Sequence, residues 1–203
     1  MTTIDPIFER NVPGTTEKLQ RATVGIAGCG GLGSNAAMLL ARAGVGGLIL
    51  VDPDVVELSN LNRQHYFRGD VGRPKVEALA GHLRAVNPGI ALILHPAELG
   101  PGDVAAVFGG ADLLVEAFDL ADRKRWLIES WCRAYPDRPI VAASGLSGAG
   151  RTGAMHVHSS GNIHVVGDEQ SDMSEGLCAS RVMLAAAMEA NIAIGLLLGM
   201  EED

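Results

Sequence analysis

A chain of 203 residues with a formal charge of −8 fits one domain and argues against a nucleic-acid or anionic-membrane surface as its main partner. A hydrophobic fraction of 47% with only 4% aromatic residues predicts a core of Ala, Leu, Val and Ile, and 26 glycines provide turns, a balance that suits α/β packing. The three cysteines, Cys29, Cys132 and Cys178, form no C-x-x-C pair, which excludes a four-thiolate zinc site from one chain and fits a reducing compartment.

Residues 1–18 hold Pro6, Pro13 and Gly14 and few apolar positions, so they read as an N-terminal arm rather than a core element. No basic segment followed by an apolar run opens the chain, and the expected location is the cytoplasm. Arg10 in the arm reads, on the residues alone, as a solvated charge. From Thr23 to Asp54 an apolar run, a glycine-rich turn, a helical pattern and a second apolar run make one βαβ unit. Gly28, Gly30 and Gly33 have the G-x-G-x-x-G spacing: the first for a tight turn, the second for close approach of a phosphate, the third for helix–strand packing. Ser34 and Asn35 are expected to open the helix, whose first N–H groups attract an anion. Asp52, at the end of the second strand, is placed to accept the hydroxyls of a ribose.

A long polar segment follows, PDVVELSNLNRQHYFRGDVGRPK, and loops of that length in a compact domain are often functional. Pro74 and Lys75 open a helix stopped by Asn87, Pro88 and Gly89. Further strands are expected over residues 91–94, 112–118 and 139–143, the middle one ending at Asp119, with a short helix over 103–108 and a longer one bearing Arg123 to Ile128. This alternation predicts a Rossmann-like, doubly wound, mostly parallel sheet with its ligand crevice at the carboxyl ends of the strands. Beyond Gly153 the period changes to a C-terminal antiparallel hairpin turning at Ser159 to Asn162. In it His156 and His158 share a face, whereas His164, expected opposite Val157, faces the other way and leaves a metal site there without its third ligand. Residues 168–180 read as a flexible, acidic loop. The final helix, Ser180 to Gly199, is apolar nearly all round and expected in the core or a subunit interface; Arg181, Glu189 and Asn191 interrupt it as a membrane span.

The long segment separates two nucleotide chemistries. A dehydrogenase needs only to place a nicotinamide, whereas here Asp54, Asn60, Arg63, Gln64, Arg73 and Lys75 gather near Asp52, with Asp119 across the crevice. Cations beside carboxylates suit a triphosphate with its metal: Arg63 and Lys75 for phosphate oxygens, Asp119 for Mg²⁺. Taken singly, each is equally an ordinary surface ion pair.

Five motifs in order, Gly28 to Ser34 (including Gly31), Ala43 to Gly46, Val51 to Asp54, Ser59 to Gln64 and Gly72 to Lys75, closely resemble the ThiF/MoeB/HesA-like adenylyltransferases of the ubiquitin-activating-like superfamily. The resemblance covers Arg21 to about Asp122 and continues loosely through the last helix. It implies Mg-ATP bound with Asp52 on the ribose, Asn60, Arg63 and Lys75 on the phosphates, Gln64 in support and Asp119 on the metal. It also implies adenylylation of the C-terminal Gly-Gly carboxylate of a ubiquitin-like, ThiS-like sulfur carrier by a homodimer, in thiamine or related sulfur transfer. Arg10 is the candidate for the arginine that reaches the partner subunit's ATP. Relatives' paired zinc-binding cysteines are missing, so no zinc is expected. Cys178, in the loop before the last helix, is either the residue that takes the activated carboxylate or sulfur in some members, or a small residue packed near a helix N-terminus. Three alternatives stay open: another acceptor, such as a MoaD-like carrier, a peptide C-terminus or a tRNA base; a non-catalytic nucleotide- or carrier-binding module; and a dehydrogenase.

Overall fold

The computed structural model describes residues 5–200; residues 1–4 of the expected arm and residues 201–203 lie outside that range. Seven strands form one sheet in the order β3-β2-β1-β4-β5-β7-β6. They are β1 (Thr23–Ala27), β2 (Gly47–Val51), β3 (Ala91–His95), β4 (Leu113–Glu116), β5 (Ile140–Ala143), β6 (His156–Ser160) and β7 (Ile163–Gly167). All pairs are parallel except β6 with β7, so the sheet is the expected Rossmann-like one with an antiparallel hairpin at its edge. Strand order reverses between β1 and β4, which opens a crevice at their carboxyl ends.

The helices are α1 (Thr16–Leu19), α2 (Gly31–Ala43), α3 (Lys75–Val86), α4 (Val104–Val107), α5 (Ala121–Ala134) and α6 (Ala179–Leu198). One sheet face carries α2, α3 and α6 over a core that includes Ile26, Leu40, Leu50, Leu79 and Ala186. The other carries α4 and α5 with Phe108, Leu127 and Trp131. Aliphatic side chains supply most of both, as the composition implies. Gly25 in β1 leaves the space that the Phe108 ring fills; a Cβ there would stand 2.7 Å from that ring.

Several details differ from the sequence expectations. The arm is pinned: Phe8 is buried, against Gly44 at the end of α2. The long polar segment is ordered by turns at Leu58–Asn60 and Arg68–Asp70 and by a bridge from Val55 to Pro74. Gly161 takes a positive φ of 57° in the hairpin turn, and the register puts His164 opposite Ser159 rather than Val157. The two-residue shift keeps His164 on the face away from His156 and His158 and gives it a 2.8 Å hydrogen bond with Ser159. Asp168, expected in a flexible loop, is buried and ion-paired with Arg181. By length and mean hydropathy (1.6) α6 is long enough to cross a membrane; half of it is buried, and it packs on α2 and on β5 and β7.

Candidate active site

The crevice is a cleft of about 560 Å³. Its floor is the turn from β1 into α2. Gly28 has φ +98°, and a Cβ there would lie 2.7 Å from the carbonyl oxygen of Ala117, so the turn requires glycine. Gly33 is not in the cleft: a Cβ on it would stand 1.8 Å from the Gly28 carbonyl, and its absence lets α2 seat on the turn. The helix begins at Gly31 with Gly30 as its cap, three residues earlier than Ser34 and Asn35 suggest. The N–H groups of Gly31, Leu32 and Gly33 find no acceptor among the described residues, so the positive end of α2 faces the cleft.

Ser34 and Asn35 instead rivet α2 to the polar segment. Ser34 Oγ accepts the His65 N–H at 2.9 Å and donates to the Gly30 carbonyl at 2.6 Å. Asn35 Nδ2 donates to Gly31 at 2.7 Å and to the Arg63 carbonyl at 2.9 Å. These bonds place Arg63 and Gln64 beside the glycine turn. Gln64 lines the cleft, with its Nε2 3.7 Å from where a Gly30 Cβ would stand, while its buried Oε1 has no partner.

Asp52, 5% exposed, is held by the N–H of Cys29 on Oδ2 (2.7 Å) and of Asp54 on Oδ1 (2.9 Å). Burial raises its carboxyl above the usual range while the Lys75 ammonium opposes that shift. Lys75, the first residue of α3, lies 2.7 Å from Asp54 and 3.7 Å from Asp52. Asn60 accepts the Glu57 N–H through its side chain at 2.9 Å, and the Arg63 guanidinium turns to Ser59 and Asn62. Fixed acceptors, two cations and a helix N-terminus thus face one space, which suits a polyanion with a hydroxylated sugar.

The opposite wall comes from β4 and β5. β4 ends at Glu116, so Asp119 stands on a short connector into α5 rather than at the strand end, exposed and facing the cleft. Among the described residues no three His, Cys, Asp or Glu side chains gather to hold a metal. Asp119 alone fits a cation that takes its remaining ligands from phosphate oxygens and water. Ser144, Ser147 and Asp172 complete that wall.

Gly28, Gly30, Gly31, Asp52, Asp54, Asn60, Arg63, Gln64, Lys75 and Asp119 therefore meet in one cleft; Gly33, Arg10, Cys178 and Arg73, which pairs with Asp70, do not line it. Arg10 is exposed and outside the cleft of its own chain. Cys178 caps α6 next to Leu177, which lines the cleft, but does not line it itself. Hydrogen bonding to Ser180 (Sγ–Oγ 3.3 Å) draws the Cys178 thiol below its ordinary pKa. Sequence reasoning missed Arg123 and Lys124, which line the cleft from α5, and the Glu116 beneath them. Only the cationic run at Arg123 to Arg125 marked the place.

A parallel sheet with a glycine turn, an acid after β2 and a cation-lined switch point defines a nucleotide-type α/β site. The chain belongs to the ThiF family, whose model matches residues 6–203. "Adenylyltransferase and sulfurtransferase uba4" of Emericella nidulans is 42% identical over 135 residues, 66% of this chain and 28% of that protein. "SAMP-activating enzyme E1" of Haloferax volcanii is 40% identical over 125 residues, 61% of this chain and 46% of that one. The chain thus spans less than half the length of either relative. The E. coli tRNA N6-threonylcarbamoyladenosine dehydratase TcdA, in complex with AMP, has the same fold: TM-score 0.85 over 98% of both chains at 22% identity.

Proposed function

We propose that the protein is an ATP-dependent adenylyltransferase acting on the C-terminal carboxylate of a ubiquitin-like carrier that ends in Gly-Gly. The observation that carries this is the convergence on one cleft of the partnerless N–H groups of α2, the Arg63 and Lys75 cations and the lone carboxylate of Asp119. In this reading Asp52 accepts the ribose hydroxyls, Asn60, Arg63 and Lys75 hold the phosphates, and Gln64 supports that shell. Lys75 exchanges Asp54 for phosphate when the nucleotide enters. Asp119 would hold a Mg²⁺ ion, which screens phosphate charge when bound.

The chemistry needs no general base. A carboxylate is ionised at neutral pH; its oxygen attacks the α-phosphorus, the bond to the bridging oxygen breaks, and pyrophosphate leaves with the electron pair. What the protein supplies is alignment of two anions and neutralisation of their charge, the work of Arg63, Lys75 and the helix terminus. Sulfur-transfer and carrier-activating names among the relatives support a sulfur-carrier substrate, and we assign it to thiamine or a related sulfur pathway in the cytoplasm. Arg10, outside its own cleft, acts across a homodimer if it acts on ATP at all. A tRNA acceptor, the substrate class of the structural neighbour, is disfavoured by the charge of −8.

The test is exchange of labelled pyrophosphate into ATP with Mg²⁺ and a Gly-Gly-ended carrier. Exchange that depends on the carrier and disappears in Asp119→Ala supports the reading. ATP binding without exchange for any Gly-Gly carrier refutes it in favour of another acceptor or a non-catalytic binder, and tight NADH binding without ATP binding would return the site to dehydrogenase chemistry.

A further inference from the structure

Behind the wall that carries Asp119, the protein buries two glutamates, one of them against a half-buried lysine. Glu116, the last residue of β4, is 0% exposed. Its Oε1 accepts the N–H of Phe118 at 2.7 Å and its Oε2 receives the Lys124 ammonium at 2.6 Å. Lys124 stands in the first turn of α5 and also lines the cleft. One carboxylate therefore ties the connector just before Asp119 to the helix just after it. From the far side comes Glu189 of α6, also 0% exposed, with neither oxygen hydrogen-bonded. It senses the charges of both Lys124 and Glu116, and burial raises its carboxyl well above the ordinary range; burial raises Glu116 too, but there the Lys124 ammonium bonded to it opposes the shift.

This arrangement is costly. Each buried ion loses several kcal/mol of hydration, and apolar residues of similar volume would hold a strand and a helix together as well or better. A single metal-binding carboxylate on a four-residue connector, by contrast, needs its position held to within about 0.5 Å. We infer that Glu116 and Lys124 are positioning residues, a clamp that fixes the Asp119 connector for a divalent cation carried by the triphosphate. The inference rests on the function proposed above and assigns within it residues that neither touch nor coordinate the metal.

Manganese(II) is the probe, because its free fraction is read directly by electron paramagnetic resonance in the presence of protein and a non-hydrolysable ATP analogue. The variants are Glu116→Gln, which keeps an acceptor for Phe118 and removes the charge, Lys124→Met and Lys124→Arg. Loss of an outer-shell partner weakens metal binding by about 10–100-fold. Glu116→Gln and Lys124→Met are expected to lower Mn²⁺ affinity in the ternary complex by at least about tenfold on that scale. Affinity for the metal-free analogue in EDTA should hold, and Lys124→Arg should recover most of the Mn²⁺ loss. Unchanged Mn²⁺ affinity in either folded variant overturns the clamp. So does an equal loss of metal-free nucleotide binding, which signals a merely structural pair. If Asp119→Ala binds Mn²⁺ as wild type does, the clamp falls while adenylylation stands; if wild type binds no nucleotide at all, the functional reading falls first.

Discussion

Replacing Glu189 by glutamine is expected to stabilise the protein, and increasingly so as pH rises. Glu189 lies on α6 with 0% exposure and both carboxylate oxygens unpartnered. Burial is the main cause of its raised pKa; the Glu116 charge on β4 adds to it and the Lys124 ammonium on α5 opposes it. An unfolded glutamate releases its proton near pH ~4.3. Above that pH the native state holds one proton more than the unfolded state, so the stability this group permits is complete below the unfolded pKa. It is lost as pH climbs towards the native one, at about 1.4 kcal/mol per pH unit. Glu189→Gln has no proton to lose, and every other group, Glu116 included, titrates in both proteins and cancels in the difference. Urea denaturation at pH 5, 6 and 7 should therefore show the variant gaining on wild type as pH rises, by at most about 1.4 kcal/mol per pH unit. Parallel stability curves, or a wild type that gains on the variant as pH rises, would refute the account of Glu189 as a buried, proton-holding acid.

Gly33→Ala must push a methyl into the Gly28 carbonyl, 1.8 Å from the ideal Cβ, so it should lose at least about 1–3 kcal/mol and lower the thermal midpoint; an unchanged melt would contradict the packing of α2 on the turn. Asp168 is held at about 2: burial raises it, but the N–H groups of Ser171 and Gln170 and the Arg181 guanidinium outweigh burial. Asp168→Asn leaves the buried Arg181 unpaired and should cost about 3–5 kcal/mol at neutral pH, a difference that shrinks as pH falls from ~4 towards 2 in denaturant titrations. Among the three thiols, mass spectrometry after brief iodoacetamide treatment should find Cys178 labelled first. Cys29 should label last, because burial pushes its thiol up, whereas Ser180 draws Cys178 down; prior labelling of Cys132 would refute this order.

What could be read from the sequence was whatever depends on neighbours along the chain. The glycine spacing from Gly28 to Gly33 marks a turn in which Gly28 is required by the Ala117 carbonyl beside it and Gly33 by the Gly28 carbonyl within it. The apolar runs of β1, β2 and β4 are buried at every residue or all but one, as a parallel sheet requires. The cations and acids of the polar segment were legible because they cluster in one long non-helical stretch directly after the βαβ unit. Element boundaries set by competing backbone geometry were not. Ser34 resembles a helix cap, yet Gly30 takes that place because the tight turn at Gly28 already delivers the chain in helical direction.

The misses share a cause: each depends on which way a charged side chain turns and on what packs against it, neither of which the local pattern records. Lys124 is read locally as one member of a solvated cationic run, and only the fold sets it on Glu116. Glu116 itself vanished into an apolar stretch, LLVEAF, because one acid in a buried strand does not break the pattern. Glu189 was conspicuous as an acid in an otherwise apolar helix, but hydropathy registers only that a charge interrupts the run. It does not register whether the group will be solvated, paired or held neutral. That distinction is set by what surrounds α6, and here the buried Glu189 feels the charges of Glu116 and Lys124 from the opposite face of the sheet. An acid kept in such a place against about 1.4 kcal/mol of stability for every pH unit above its unfolded pKa is poorly explained by folding alone. Its electrostatic reach to the clamp on the Asp119 connector gives the cost a functional reason, since a carboxyl that burial pushes towards its neutral form competes less for Lys124 than an ordinary carboxylate would.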